Sequence, residues 1–284
     1  MTELEIHISD AQNCFNTLQY AQAIEHCHKA IKIEPANANA HLIAGLACYS
    51  INAHSKCITH FEQCMSEVKK TPHYQEKYAI ALSLNNRVSE AVQQFENIVT
   101  NHPEYSQVWF NYGYLLSDGR VANYQKAIEY FDTAEQNPNH PPQLYFYRGT
   151  NYYNLKKNVQ ATMDLEKALE LEPANAEAAF LLGEINTRQT DYQTAIDYYS
   201  RALYYNSAHP KAIEQRLIAR VNNKDANGNI INQQAAQHDV DTLMEADKRG
   251  EKPFFMSLTS KEGKPLKIKK ATVSEKGELN YVVE

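Results

Sequence analysis

No run of apolar residues in this chain of 284 approaches the eighteen or so that a membrane-spanning helix needs. The opening residues, Met1-Thr2-Glu3-Leu4-Glu5, are acidic where a secretory signal is basic, and no apolar stretch follows, so a cytoplasmic location is expected. Cysteine is sparse: five residues, an odd number without disulfide-like spacing, which suits a reducing compartment. Clustered cations are missing too. The net charge is −6, and from Lys248 onward nine Lys and Arg face five Asp and Glu, which leaves −10 on the preceding chain. Such an acidic body lacks the footprint of a nucleic-acid binder. Nor is there a Gly-rich phosphate loop, a nucleophile elbow or a zincin motif, so neither an enzyme nor a cofactor is expected. A hydrophobic content of 43% with 22% charged residues nevertheless describes a folded protein.

What is present is repetition. The word Glu-Pro-Ala-Asn-Ala occurs at residues 34–38 and again at 172–176, with similar flanks, Lys29-Ala30-Ile31-Lys32-Ile33 and Lys167-Ala168-Leu169-Glu170-Leu171. The interval of 138 residues equals four periods of 34 and a remainder of two, and a period in that range marks a repeat architecture. Blocks begin at Leu4, Ala38, Pro72, Ser106, Pro142 and Ala176, with the two extra residues in the fourth, near Ser117 to Tyr124. A small residue recurs at the eighth position (Ala11, Gly45, Ala79, Gly113, Gly149, Gly183) and at the twentieth (Ala23, Cys57, Ala91, Ala127, Ala161, Ala195). Four places later stands a larger one: Cys27, Phe61, Phe95, Phe131, Leu165 and Tyr199. This spacing puts each set on one face of a helix, small residues allowing close backbone approach and larger ones filling the groove beside them. Pro35, Pro103 and Pro173 follow the second helices.

These residues resemble the tetratricopeptide-repeat pattern of Trp-x2-Leu-Gly-x2-Tyr, then Ala-x3-Phe-x2-Ala, then Pro. The fourth block matches its opening with Trp109, Tyr112, Gly113 and Leu116, and the fifth its close with Ala161, Leu165, Ala168 and Pro173. The second block departs most, with Lys69 where proline is usual. The expected fold is all-α: a right-handed helical-repeat solenoid of six helix pairs over 4–209. A capping helix at Pro210 to Val221, an Asn/Gly loop and a further helix follow over 210–252. At 253–284 the pattern changes to alternation, with Phe254, Met256 and Leu258, then Leu266 and Ile268, then Leu279, Tyr281 and Val283 on one side, which predicts a small antiparallel β-meander. Its apolar side chains give it reason to dock on the C-terminal repeats or on a second copy, so a homodimer through the tail is one expectation.

The resemblance implies a non-enzymatic protein–protein interaction scaffold whose first helices line a concave groove for a partner peptide or helix. The second, fifth, ninth and twelfth positions then supply Leu42, Leu46, Tyr49, Ile80, Phe110, Tyr114, Phe146, Tyr153 and Phe180, with Glu177 and Glu184 at the far end. Aromatics dominate this set, and such rings give contact area at low entropic cost. Co-chaperone members of the family grip a carboxylate with Lys, Asn and Arg; the corresponding places hold Ile8, Gln12, Leu46, Glu76 and Ile80, so that sub-function is not expected.

Two metal readings compete with plain packing. Cys57, His60 and Cys64 share a helical face near His54, but the two thiols occupy positions that hold small residues in other blocks, which favours burial. Asn223, Asp225 and Asn227, with Gly228 and Ile230, match the start of a calcium loop. The twelfth place is Gln234, however, and only Asp225 brings a charge, which favours an Asx-rich turn. The alternative to the scaffold is a regulated adaptor in which this degenerate EF-hand-like loop or the β tail senses a ligand or mediates assembly.

Overall fold

The computed structural model describes residues 1–248 and 268–283. They gather into two compact units, Met1–Pro141 and Pro142–Glu284. The first unit contains α1 (Glu3–Asn16) with α2 (Tyr20–Ile33), α3 (Ala38–Ser50) with α4 (His54–Gln63) and α5 (Met65–Lys70), α6 (Pro72–Leu84) with α7 (Val88–Asn101), and α8 (Val108–Ser117) with α9 (Tyr124–Glu135). The second contains α10 (Leu144–Asn154) with α11 (Asn158–Leu171), α12 (Ala176–Arg188) with α13 (Tyr192–Tyr205), and α14 (Pro210–Asn222) with α15 (Gln233–Lys248). Strands β1 (Ile268–Val273) and β2 (Leu279–Val283) complete it. The fold is thus all-α helical repeats with a small C-terminal antiparallel sheet. In the second repeat the outer helix breaks at Cys64, whose φ of −127° and ψ of 33° leave the helical region, before α5 resumes.

The recurring small and large residues meet. A Cβ added to Gly45 would stand 2.6 Å from the Phe61 ring, one on Gly183 2.5 Å from Tyr199, and ones on Gly113 and Gly149 about 3 Å from Phe131 and Leu165. The repeated Glu-Pro-Ala-Asn-Ala word has a structural meaning as well. Glu34 and Glu172 close α2 and α11, accepting the N–H of Asn37 at 3.1 Å and of Asn175 at 3.0 Å. The asparagine side chains then cap the next helices, accepting the N–H of Ala40 and of Ala178 at 3.0 Å.

Between the helices of each of the first six pairs the chain turns through one residue of positive φ: Leu18, Asn52, Asn86, Ala122, Lys156 and Thr190. These positions recur every 34 residues, except that 36 separate Asn86 from Ala122. The following N–H reaches back five residues to a helix carbonyl, Gln19 to Cys14 at 2.8 Å and Asp191 to Asn186 at 3.0 Å, which satisfies an orphan acceptor at the helix end. In the fourth repeat the same closure runs from Asn123 to Leu116 at 3.0 Å, seven residues back, so the two extra residues lie inside this turn, as the block lengths predict. Asp118 and Arg120 brace it, and the Arg120 guanidinium donates to the Asn86 side chain at 2.9 Å.

The 210–248 segment forms a further helix pair. Asp239 on α15, 0% exposed, accepts from Arg216 at 2.6 Å and Arg220 at 2.5 Å, both on α14. Against α15 packs β1, with Ile268, Ala271 and Val273 in the same core as Val240 and Leu243. The Gln237 amide acts as a surrogate strand edge, accepting from the Val273 N–H at 3.0 Å and donating to the Ala271 carbonyl at 3.3 Å. β2 pairs with β1 in register Ala271 with Tyr281 and Val273 with Leu279. The tail's strands therefore dock on the chain's own last helix pair. The strand expected at Phe254 to Leu258 lies outside the described residues.

Candidate functional site

In the first unit Leu46 and Tyr49 lie on α3 and Phe110 and Tyr114 on α8. Leu46, Tyr49 and Phe110 are half-buried, and Tyr114 is 51% exposed. The Lys77 ammonium of α6 stands 4.5 Å from the centre of the Tyr49 ring, a cation–π contact. Burial holds the Lys77 pKa below its ordinary value, against the opposing pull of neighbouring Glu76. Glu76 itself is only 5% exposed. Its two carboxylate oxygens accept from the Tyr105 hydroxyl at 2.6 Å and the Asn111 amide at 2.8 Å, so the buried charge is satisfied. Burial first, and then this bond, keep the Tyr105 phenol well above its usual range. Beside Phe110 opens a cavity of about 260 Å³, lined by Ala134 and Pro141 and by the polar side chains of Gln107, Asn111, Asn137 and His140. It is large enough for one side chain and small for a cofactor.

In the second unit Phe146 and Tyr153 of α10 are half-buried. Tyr153 is held from α12: its hydroxyl donates to the Glu184 carboxylate and accepts from Arg188, whose guanidinium stands 4.3 Å from the centre of the Tyr153 ring. Phe180 is placed differently from the sequence expectation. At 5% exposure it packs at 4.7 Å from His209 and 5.8 Å from Tyr199, so its ring belongs to the core. A sequence read by first-helix position did not count the cover supplied from α13 and the residue before α14. The same reading passed over Lys77, Asn111 and Arg188, each one place further along its helix than the positions it selected, and with them the cations over two of the rings.

The two metal readings find no converging ligands. Cys57 and Cys64 are fully enclosed, burial pushes their thiols up to about 12 and about 11, and the Cys64 thiol donates to the His60 carbonyl at 3.4 Å. In the 223–231 loop Asp225 Oδ1 accepts the N–H groups of Asn227 and Asn229, both at 2.9 Å, while the Asn223 amide turns to Gln193 at 3.1 Å. The Asn229 carbonyl, the seventh place, which a calcium loop would present to its ion, accepts from the Asp225 N–H at 2.8 Å, and the Asn227 carbonyl accepts from the Lys276 ammonium at 3.1 Å. This is an Asx turn stapled to the β-hairpin.

Two stretches, residues 79–142 and 147–213, match the family model for the tetratricopeptide repeat. These stretches are tetratricopeptide repeats. Solved structures of similar fold include PilF of Pseudomonas aeruginosa, at 18% identity over 75% of this chain and 96% of that one, with a TM-score of 0.58. They include the C-terminal part of a repeat-containing protein of Cytophaga hutchinsonii, at 20% identity over 75% and 84%, TM-score 0.58. YrrB, described as a TPR protein with an unusual peptide-binding site, aligns at 15% identity over 66% and 96%, TM-score 0.56. At these identities the likeness is one of fold. No curated protein matches this chain. Among the described residues no helix is long and apolar enough to cross a membrane. Tetratricopeptide-repeat proteins generally mediate protein–protein interactions.

Proposed function

We propose that this protein is a non-enzymatic interaction scaffold that binds an extended peptide or partner helix through the first helices of its repeats. The contacts are Leu46, Tyr49, Phe110 and Tyr114 in the first unit, and Phe146, Tyr153 and Glu184 in the second. The observation that carries this reading is Tyr114, an exposed aromatic one turn beyond Phe110 and its cavity. A half-exposed tyrosine on the same helix as a side-chain-sized hollow suits an anchor for a partner residue, since aromatics and a desolvated pocket dominate binding energy at interfaces. Amides around the cavity suit the hydrogen bonds of a peptide backbone. Lys77, with no hydrogen-bond acceptor among the described residues, adds a donor for carbonyls or an acidic side chain.

Two exposed tyrosines make the test. Tyr114 lies on a first helix and Tyr204, 81% exposed, on a second helix. A photo-reactive phenylalanine analogue placed at 114 in cells is expected to cross-link a partner, and the same group at 204 is not. Tyr114→Ala should then weaken capture about tenfold, an ordinary hot-spot loss. Cross-linking from 204 alone would place the interface on the second-helix face and overturn the assignment.

A further inference from the structure

Each of the first four repeats brings its fourth and twenty-third positions together across the helix pair. In the second repeat these are His41 and His60, whose Nδ1 atoms are 3.1 Å apart, with the other nitrogen of His41 2.9 Å from the Pro35 carbonyl. In the third they are Gln75 and Gln94, hydrogen-bonded at 3.1 Å. In the fourth, counting the insertion, they are Trp109 and Tyr130, with rings 5.3 Å apart. The first repeat has His7 and His26, the same residue types as the second, yet the two rings do not bond to each other. Their centroids are 5.7 Å apart, and the buried Nδ1 of each has no hydrogen-bond partner among the described residues. A third group stands at this gap. Asp10, one turn along α1 from His7, places Oδ2 3.7 Å from His26 Nδ1. The equivalent seventh position is Ala44, Tyr78 and Tyr112 in the next three repeats, so the carboxylate is peculiar to the open pair.

We propose that the first repeat binds a divalent transition-metal ion, of the zinc class, through His7, Asp10 and His26, clamping α1 to α2. One ligand atom from each residue lies within 4.8 Å of the other two. Bonds of about 2.1 Å to a shared zinc set ligand atoms roughly 3–4 Å apart, so the Asp10–His26 gap already fits and the rest closes by about 1 Å of side-chain rotation. Two imidazoles and one carboxylate favour zinc, cobalt or nickel over calcium or magnesium, which take oxygen ligands. Asp10 is well exposed, which leaves water to complete the shell and a path for the ion to enter. Packing alone does not account for the arrangement. The second repeat joins its histidine pair by a direct hydrogen bond, and the first repeat leaves two buried ring nitrogens without one, a state that costs stability until a ligand arrives.

The full chain, stripped with a chelator and dialysed, would be titrated with Zn²⁺ by calorimetry and with Co²⁺ by visible absorption. The expected result is one ion bound, with a cobalt spectrum free of thiolate charge-transfer bands. Asp10→Asn and His26→Gln should each weaken binding at least roughly tenfold, the loss that even outer-shell changes bring. His60→Gln should bind as the wild type does. Zinc should also raise the melting temperature of the wild type but not of His26→Gln, with circular dichroism verifying that the variant is folded. A chain that takes up no zinc, variants that bind like the wild type, or a thiolate signature in the cobalt spectrum would each overturn the proposal.

Discussion

The two units meet one requirement with different chemistry. Across the second and third helix pairs of the first, buried polar contacts are neutral: His41 with His60, and Gln75 donating to both Gln94 and Asn97 at 3.1 Å. Across two pairs of the second they are ionic, while Thr187 and the Tyr199 hydroxyl join α12 to α13 at 3.1 Å without a charge. Arg148 donates to Asp164 at 2.7 and 2.9 Å, and Asp239 is held by two arginines. Neutral pairs cost less to desolvate, but each fits in only one protonation state. Ion pairs cost more to bury and survive mild acid, and their weakness is the loss of a partner, which strands a charge out of water. The repeat backbone is indifferent to the choice. Vulnerability, not architecture, separates the units.

The largest effect that probes this contrast is Asp239→Ala. It leaves Arg216 and Arg220 buried without their carboxylate, and a cost of about 3–5 kcal/mol is expected, read as a lower urea midpoint. Gln94→Ala, its neutral counterpart in the first unit, should cost only about 1 kcal/mol. Equal losses would erase the distinction drawn above. Acid should reverse the ranking. Burial, with His41, His28 and Lys56 adding to it, lowers His60 to about 4, so the folded state prefers the neutral ring. That contribution is complete above the ordinary histidine value of about 6.5 and is lost as pH falls toward 4, up to about 2 kcal/mol after allowing for partial exposure. His60→Gln should flatten the urea-midpoint profile over that window. The smallest effect concerns the turns. Thr190 in the second unit is β-branched at φ 62°, while Asn52 in the first, at φ 59°, tolerates that region. Thr190→Gly is expected to stabilise by about 0.5–1 kcal/mol and Asn52→Gly by close to nothing, measured by thermal melts.

The 34-residue period, the helix pairs and the place of the insertion were legible because each depends on contacts local in sequence. Gly45 against Phe61 or Asn37 over Ala40 lies within a single repeat, and six copies carry the same phase. The alternation at Ile268 to Val273 and Leu279 to Val283 was legible for the same reason. What stayed hidden lies across helices. His26 stands beside Cys27 and His28 in the sequence, whereas its neighbours in space are His7 and Asp10 on α1. Phe180 was placed in a groove by its position on α12, and its burial depends on Tyr199 and His209, which a helical wheel of α12 does not contain. Arg188 and Lys77 are hidden because a charged residue on a helix reads as solvated until an aromatic ring from the preceding repeat is placed under it.

The bond from the Asn123 N–H to the Leu116 carbonyl has a bearing on how such a chain can lengthen over evolutionary time. It fastens the stem of the turn, so residues added beyond the stem loop outward and leave the downstream helices in phase. The two surplus residues between Asn86 and Ala122 are a record of one such event, and Gly119, with no atom within 4 Å of where its Cβ would be, marks where more can be accepted. A stem closed in this way makes the turn a splice junction: a recognition sequence or reporter grafted there is carried at a fixed address on the repeat array without rewriting the register on either side.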